Sequence, residues 1–150
     1  MTPLLLAALA AAADPDTRLL ASFEKLEEAA LFEASQGGPL SLSGSHATEG
    51  RQSLLVPCPS YLTTWKLPRD WSAFDVLEMD AFNDTGQVVV VTLLVGDKPW
   101  EDKGRSYWNR HNGEFNLVPG PNRVAIPVQG LWRGEAGSRN NDIPRNIDPG

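Results

Sequence analysis

Cysteine and histidine are scarce in this chain, and their scarcity excludes several kinds of site. One cysteine, Cys58, among 150 residues cannot form a disulfide within the chain. With two histidines and no second cysteine, the sequence predicts no zinc site. Because Cys58 lies between two prolines after an apolar run, we expect it to be a buried, unreactive thiol.

Positive charge is also in short supply. Thirteen lysines and arginines face 19 aspartates and glutamates, which gives a formal net charge of −6. Nucleic acids and anionic membrane surfaces attract basic proteins, so we predict neither as a partner. Neutral glycans, cations and other proteins remain compatible with this charge.

Long apolar runs are lacking outside the N-terminus. The run Leu4–Ala13 has ten residues, which is too few to span a bilayer. Small residues at Ala11 and Ala13 fit a signal-peptidase cleavage site, although no lysine or arginine precedes the run. We therefore predict a signal peptide over residues 1–13 and a secreted or extracytoplasmic protein, in the periplasm or at the cell surface. The alternative is a buried N-terminal helix.

Short apolar stretches separated by turn residues fill the rest of the chain, which contains 13 glycines and 12 prolines. Asp75–Phe82 alternates apolar and polar residues, as a half-buried strand does, and Gln87–Val95 is apolar on both faces, as a central strand is. Only Glu24–Ala30 is predicted to be helical. Eight or nine strands at this spacing predict one all-β sandwich domain over residues 14–150. Further predicted strands are Leu19–Phe23, Leu31–Ala34, Leu40–Ser43, Ser53–Val56, Thr63–Leu67, Glu114–Leu117 and Arg123–Val128.

Six short motifs follow one another along the chain: Phe23-Glu24, His46–Leu54, Asp70–Leu77, Asp80–Asn83, Gly96-Asp97 and Pro119–Pro127. Their order and spacing resemble those of galactose-binding-like jelly-roll domains. The closest likeness is to the carbohydrate-binding modules of secreted bacterial glycoside hydrolases and related proteins. This resemblance implies a jelly-roll β-sandwich that binds carbohydrate. In that family a further strand usually follows the region that ends this sequence, so we expect a C-terminally truncated domain that lacks its last strand.

Aromatic residues are concentrated in the polar segment Gly96–Asn112. Aromatic rings stack on the apolar face of a sugar, and Asp, Asn and Arg side chains bind its hydroxyl groups. The segment therefore predicts a glycan site, with Trp132 as a second candidate on the C-terminal loop. The alternative is that some of these rings cover the edge of the core. The predicted carbohydrate-binding residues are Trp100, Tyr107, Trp108, Asp97, Asn109 and Arg110.

Calcium is implied by the same resemblance, because such domains often hold a structural Ca²⁺ near the end of the first strand. The matching positions are Glu24 and the loop His46–Ser53, with Glu24, Thr48 and Glu49 as candidate ligands. Carboxylates and backbone carbonyls in a tight loop are the oxygen ligands that Ca²⁺ prefers. The family usually adds an acidic ligand from the last strand, which this sequence lacks.

The predicted function is non-catalytic binding of a polysaccharide or oligosaccharide, by a module that is covalently linked to a catalytic domain in a longer chain. We do not predict an enzyme, since nothing in the sequence fixes Glu101, Asp102 or Glu114 as the carboxylate pair of a glycosidase. One alternative is a structural or protein-interaction sandwich without glycan binding. Another is a catalytic fragment. The first alternative is tested by whether Trp100, Tyr107 and Trp108 are coplanar and exposed on one surface.

Overall fold

Strands dominate the computed structural model of this protein, with 35% of the described residues in strands and 12% in helices. The structure describes residues 4–7 (backbone), 17–36, 38–134 and 143–150. The predicted all-β class is confirmed at this level. No helix within the described ranges is long and apolar enough to cross a membrane.

Nine strands and two short α-helices follow one another along the described chain. The strands form one five-stranded sheet, in the order β3-β4-β1-β6-β9, and two sheets of two strands each, β2-β5 and β7-β8. Two 3₁₀ turns, Tyr107–Asn109 and Val128–Gly130, flank the last two strands. The bounds are β1 Leu4–Ala7, α1 Leu26–Ala29, β2 Glu33–Ala34, β3 Ser41–Ser43, β4 Ser53–Val56, β5 Leu62–Thr63, β6 Val76–Asn83, β7 Val89–Val95, α2 Lys98–Asp102, β8 His111–Leu117 and β9 Gly120–Pro127.

Strand β1 lies within the segment predicted to be a signal peptide. It pairs antiparallel with β4 on one side and β6 on the other, so that Leu5 is opposite both Leu55 and Phe82. The alternative of an N-terminal helix is therefore wrong for Leu4–Ala7, whose backbone is a strand. The rest of that segment lies outside the described residues, and the signal peptide stays a prediction.

The chain forms two compact units. Unit 1 contains the described residues of Met1–Pro68, Glu78–Val89 and Leu117–Ala125. Unit 2 contains those of Arg69–Leu77, Val90–Asn116 and Ile126–Gly150. The glycan residues predicted from the sequence all belong to unit 2, and the predicted calcium residues belong to unit 1.

The core of unit 1 is a cluster of buried side chains from β4, from helix α1 and from the segment that precedes α1. Leu54 is fully buried, and the rings of Phe23 and Phe32 lie 5.6 Å apart in a tilted arrangement. Leu42 on β3 and Leu62 on β5 pack against this cluster from neighbouring strands. Burial of these side chains stabilises the unit by roughly 1.5–3 kcal/mol each, before the entropy of ordering them is subtracted.

Three local predictions are wrong. Leu19–Phe23 is not a strand, because Phe23 adopts a left-handed φ of 61°, which ends an extended segment. Strand β7 is not central, since it pairs with β8 alone in the part of the chain that the structure describes. Helix α2 was not predicted, although its N-cap Asp97 and Pro99 in its first turn are common features of a helix start.

Candidate functional site: exposed aromatic rings of unit 2

A buried ion pair holds the loops of unit 2. The Arg133 guanidinium donates to both carboxylate oxygens of Asp97, with Nη1 2.7 Å from Oδ1. Only 1% of the Arg133 side chain and 7% of the Asp97 side chain are exposed. Arg133 also donates to the backbone oxygens of Asn109 at 2.9 Å and Pro144 at 2.6 Å. One guanidinium therefore joins four separate stretches of chain by charge-assisted hydrogen bonds.

Asp97 accepts hydrogen bonds from two backbone amides in addition to Arg133. Its Oδ1 lies 3.1 Å from the amide of Trp100, which makes Asp97 the N-cap of α2, and its Oδ2 lies 2.7 Å from the amide of Asp148. Burial alone would raise the pKa of Asp97, but the hydrogen bonds from Arg133, Asp148 and Trp100 outweigh it and hold the pKa below its ordinary value. Asp97 is therefore an ionised anchor of these loops.

The segment Leu131–Gly134 runs between the start of β8 and the last described residues. The amide of Gly134 donates to the oxygen of Arg110 at 2.8 Å, and the amide of Ile147 donates to the oxygen of Leu131 at 3.0 Å. The alternation of an extended chain decides which side chains point inward. Leu131 and Arg133 are buried, whereas 46% of Trp132, which lies between them, is exposed.

Three exposed aromatic rings are carried by this frame: Tyr107, Trp108 and Trp132, with exposed fractions of 44%, 38% and 46%. The rings of Tyr107 and Trp108 meet edge to face, with centroids 5.1 Å apart and planes at 85°. A guanidinium lies over two of the three rings. Arg110 is 5.1 Å from the centroid of Tyr107, and Arg145 is 5.4 Å from that of Trp132. Such arginines hold a ring by cation–π attraction.

Of the six residues predicted to bind carbohydrate, Tyr107, Trp108 and Arg110 reach the surface. Trp100 is 8% exposed, because α2 turns its ring against Gly96 and its Nε1 donates to the oxygen of Ser106 at 2.9 Å. The Asp97 carboxylate is already bonded to Arg133, and only 4% of Asn109 is exposed. The three predicted aromatics are therefore neither coplanar nor all exposed, and the alternative that a ring covers the core edge describes Trp100. By that criterion the trio Trp100, Tyr107 and Trp108 favours the structural or protein-interaction alternative, so a glycan site has to be argued from the exposed rings Tyr107, Trp108 and Trp132.

Arg133 and Arg145 belong to the site but are not recognisable as site residues from the sequence. Arg133 follows Trp132 directly and is among the most completely buried side chains described. No signal in the sequence joins it to Asp97, because the two residues are 36 positions apart. A buried arginine needs a carboxylate partner, but the sequence offers 19 acidic residues and does not say which one.

A cavity of about 390 Å³ lies in unit 2, on the inward side of the Leu131–Gly134 segment. Its volume is at the small end of the range for ligand pockets. Its wall is polar and apolar in nearly equal measure, with Arg133 and Asp148 among its polar members. It is lined by Pro99, Val128, Gln129, Leu131, Arg133, Pro144, Asn146, Ile147, Asp148 and Pro149.

The carboxylates considered for catalysis lie at the surface of unit 2. Glu101 pairs with Arg69 at 3.3 Å and lies 3.9 Å from a guanidinium nitrogen of Arg105. Asp102 pairs with Lys98 one turn earlier in α2. Glu101 and Asp102 are therefore each held by a neighbouring cation at the protein surface.

Glu24, the first of the predicted calcium ligands, fastens a loop of unit 1. Its Oε1 accepts from the amides of Arg51 at 2.7 Å and Gln52 at 2.8 Å, and these two bonds lower the pKa of Glu24. The described residues contain no group of three or more His, Cys, Asp or Glu side chains that could hold a metal. That finding does not bear on backbone carbonyl ligands such as the one expected from Thr48, so the calcium site of Glu24, Thr48 and Glu49 stays a prediction.

Comparison with known proteins adds no assignment. No family model, no curated protein and no solved structure matches this chain. The function proposed below therefore depends on the geometry of the residues themselves.

Proposed function

We propose that this protein is an exported, non-catalytic carbohydrate-binding domain of the jelly-roll type, which holds a glycan through the exposed aromatic rings of unit 2. The observation that supports this most is the exposure of Tyr107, Trp108 and Trp132 on loops fixed by the buried Asp97–Arg133 pair. Rings that remain exposed on a rigid frame lose little side-chain entropy when they bind, and this favours a ligand with an apolar face.

The angle between the rings favours a particular mode of binding. Two rings at 85° form a corner rather than a flat platform. A sugar unit that stacks on Trp108 would then meet the edge of Tyr107, so the corner suits one or two sugar units better than a long flat chain. The guanidinium of Arg110 lies over one face of Tyr107, and its donors are suited to the hydroxyl groups of the same sugar.

The charge distribution favours a neutral glycan. The net charge of −6 repels acidic polysaccharides. Arg110 and Arg145 lie against aromatic rings and can each donate to neutral hydroxyl groups. Affinity from one or two stacked rings is expected to be modest, since a small contact leaves little free energy after the cost of association is subtracted.

The test is retention on polysaccharide affinity gels together with a glycan array, using the full chain. Trp108→Ala and Trp132→Ala should each weaken retention by a glycan that holds the wild type, and the double variant should abolish it. The matched control is Trp65→Ala, because Trp65 is 49% exposed but belongs to unit 1. Tyr107→Ala is matched in the same way by Tyr61→Ala, since 61% of Tyr61 is exposed in unit 1.

The proposal fails if the folded wild type binds no glycan, or if Trp65→Ala weakens retention as much as the unit 2 variants do. Circular dichroism of every variant separates loss of binding from loss of fold. If retention depended only on the amount of exposed tryptophan, Trp65→Ala, Trp108→Ala and Trp132→Ala would all weaken it to the same extent. Loss confined to Trp108 and Trp132 would locate the glycan in unit 2.

A second function, protein interaction, is favoured by a different observation. Strand β7 exposes Val90 and Leu94 on one face, at 60% and 41%. Exposed apolar residues on a strand with a single partner are typical of association surfaces. If no glycan is bound, Val90→Ser and Leu94→Ser should be tested for loss of self-association or partner binding, by analytical ultracentrifugation.

A further inference from the structure

A second cavity, of about 310 Å³, lies in unit 1 on the polar face of strand β6. Alternation along β6 places Glu78, Asp80 and Phe82 on this face. Strand β9 forms one side of the cavity and the loop that begins at His46 forms another. The cavity is lined by His46, Thr48, Asp80, Ala81, Phe82, Pro121, Asn122 and Arg123.

Asp80 is the residue of this cavity that needs explanation. It is 7% exposed, yet its carboxylate makes no hydrogen bond or ion pair with any residue in the ranges that the structure describes. Asp97, whose side chain is 7% exposed, has by contrast one guanidinium and two amides as donors. The Asp80 oxygens are not shut off from solvent but are open to the cavity that Asp80 lines. The carboxylate of Asp80 is therefore available to a donor that a ligand supplies.

The neighbouring polar side chains already have partners. Nη2 of Arg123 donates to Glu78 at 2.8 Å, so this pair is electrically neutral. The Asn122 amide is bonded to the backbone of Val118 and Gly120. Asp80 is therefore the carboxylate of this cavity that has no cationic partner among the described residues.

Apolar surface completes the cavity. Phe82 stacks with the imidazole of His46, with centroids 3.5 Å apart and planes at 9°. Ala81 and Pro121 add further apolar wall. A single anionic group beside apolar surface, in a volume at the low end of the ligand range, suits a small molecule with one cationic end and a short hydrocarbon body.

We infer that this cavity binds a small primary amine, whose ammonium group donates to Asp80 and whose hydrocarbon part packs against Phe82 and Pro121. An ammonium is favoured over a neutral hydroxyl because it compensates the charge of Asp80, and because a charge-assisted hydrogen bond is about twice as strong as a neutral one. This site lies in unit 1 and does not depend on the proposed glycan function.

The test uses n-butylammonium chloride and the full chain, with sodium chloride at equal ionic strength as the reference. The two histidines provide an internal control in proton NMR, since His46 lines the cavity and His111 belongs to unit 2. The ring protons of His46 should shift saturably on titration with the amine, and those of His111 should not. Asp80→Asn should weaken binding at least about tenfold, which corresponds to 1.4 kcal/mol.

Asp84→Asn is the matched control, because Asp84 is exposed in the same unit and its loss changes the net charge equally. It should leave the amine affinity unchanged. Equal weakening by both variants would show only general charge attraction and would overturn the site. Saturable binding of n-butanol or methyl glucoside with the affinity of the amine would overturn the ligand class. Absence of a saturable His46 shift in the wild type would overturn the inference even if Asp80→Asn failed to fold.

Discussion

Two carboxylates, one in each unit, fasten loops of this protein by different physical means. Glu24 in unit 1 accepts two backbone amides at a partly exposed position. Asp97 in unit 2 accepts a buried guanidinium and two amides. Both have a lowered pKa. We call the two hydrogen bonds from the Arg51 and Gln52 amides to Glu24 the Glu24 clamp. The Glu24 clamp needs only a correctly shaped loop, whereas the buried pair needs one particular arginine.

The difference decides how much each unit loses when its clamp fails. Water can replace the amide partners of an exposed carboxylate at small cost. It cannot readily reach a guanidinium of which 1% is exposed, so loss of one partner leaves the other as a buried, uncompensated charge. The exposed aromatic rings of unit 2 therefore depend on a frame that is strong when intact and fails abruptly when broken.

The largest effect is expected from Arg133→Met, which keeps the side-chain volume and removes the charge. It should lower the free energy of unfolding by about 3–5 kcal/mol, measured by urea denaturation. The control is Arg123→Met, because the Arg123–Glu78 pair is solvent-exposed and should contribute no more than about 1 kcal/mol. Similar losses in both variants would contradict the distinction between buried and exposed pairs. The double variant Asp97→Asn/Arg133→Met should recover part of the loss.

The same contrast explains what the sequence could and could not predict. Alternation correctly located β6, because local periodicity is set by which face is buried. The short strand β4 was also located correctly, from the apolar run Ser53–Val56. Tyr107 and Trp108 are exposed, as expected for aromatic residues in the polar segment Gly96–Asn112. Trp100 lies in the same segment but is buried, because it belongs to helix α2 and lies on the inward face of that helix.

Contacts between distant positions lie outside what a single sequence reveals. The Asp97–Arg133 pair joins residues 36 positions apart, and the Glu24 clamp joins residues 27 and 28 apart. Helix α2 could have been predicted from Asp97 and Pro99, and the inward position of Trp100 would have followed from it. The uncompensated charge of Asp80 is visible only once its surroundings are known, since alternation alone placed it on a wet face.

A smaller but substantial effect is expected from Gly96→Ala in unit 2. A Cβ at this position would lie 2.1 Å from Cε3 of Trp100, whose ring is tied to Ser106 by its Nε1. Overpacking of this kind costs about 1–3 kcal/mol. Thermal unfolding should show the loss, and Gly104→Ala is the control for that unit, because nothing lies within 4 Å of its added Cβ. If Gly104→Ala, with a φ of +75°, costs more than Gly96→Ala, backbone strain and not ring crowding dominates.

In unit 1 the comparison is sharper, because Gly50 and Gly86 have almost the same φ, +71° and +72°. Alanine at either position is strained equally by the backbone. Only at Gly50 would the added Cβ meet another group, Oε1 of Glu24 at 2.3 Å. Gly50→Ala should therefore lower the melting temperature more than Gly86→Ala. The excess should disappear in a Glu24→Ala background, and an excess that persists there would show that the clamp is not its cause.

The smallest expected effect is the change in acid sensitivity when one of the two carboxylates is replaced. This effect is absent near neutral pH and develops only as the pH falls. A carboxylate whose pKa is lower in the folded state stabilises the fold above its ordinary pKa, and this contribution is lost as the pH falls through the folded pKa. For Asp97 and Glu24 the loss should therefore begin below about pH 4, where unfolded carboxylates start to bind protons. Urea midpoints measured from pH 7 to pH 2.5 should fall less steeply in Asp97→Asn than in the wild type. Glu24→Gln should flatten the profile in the same direction. An unchanged slope in Asp97→Asn would mean that the buried pair does not carry the acid sensitivity of unit 2, and that the lowered pKa of Asp97 has no counterpart in stability.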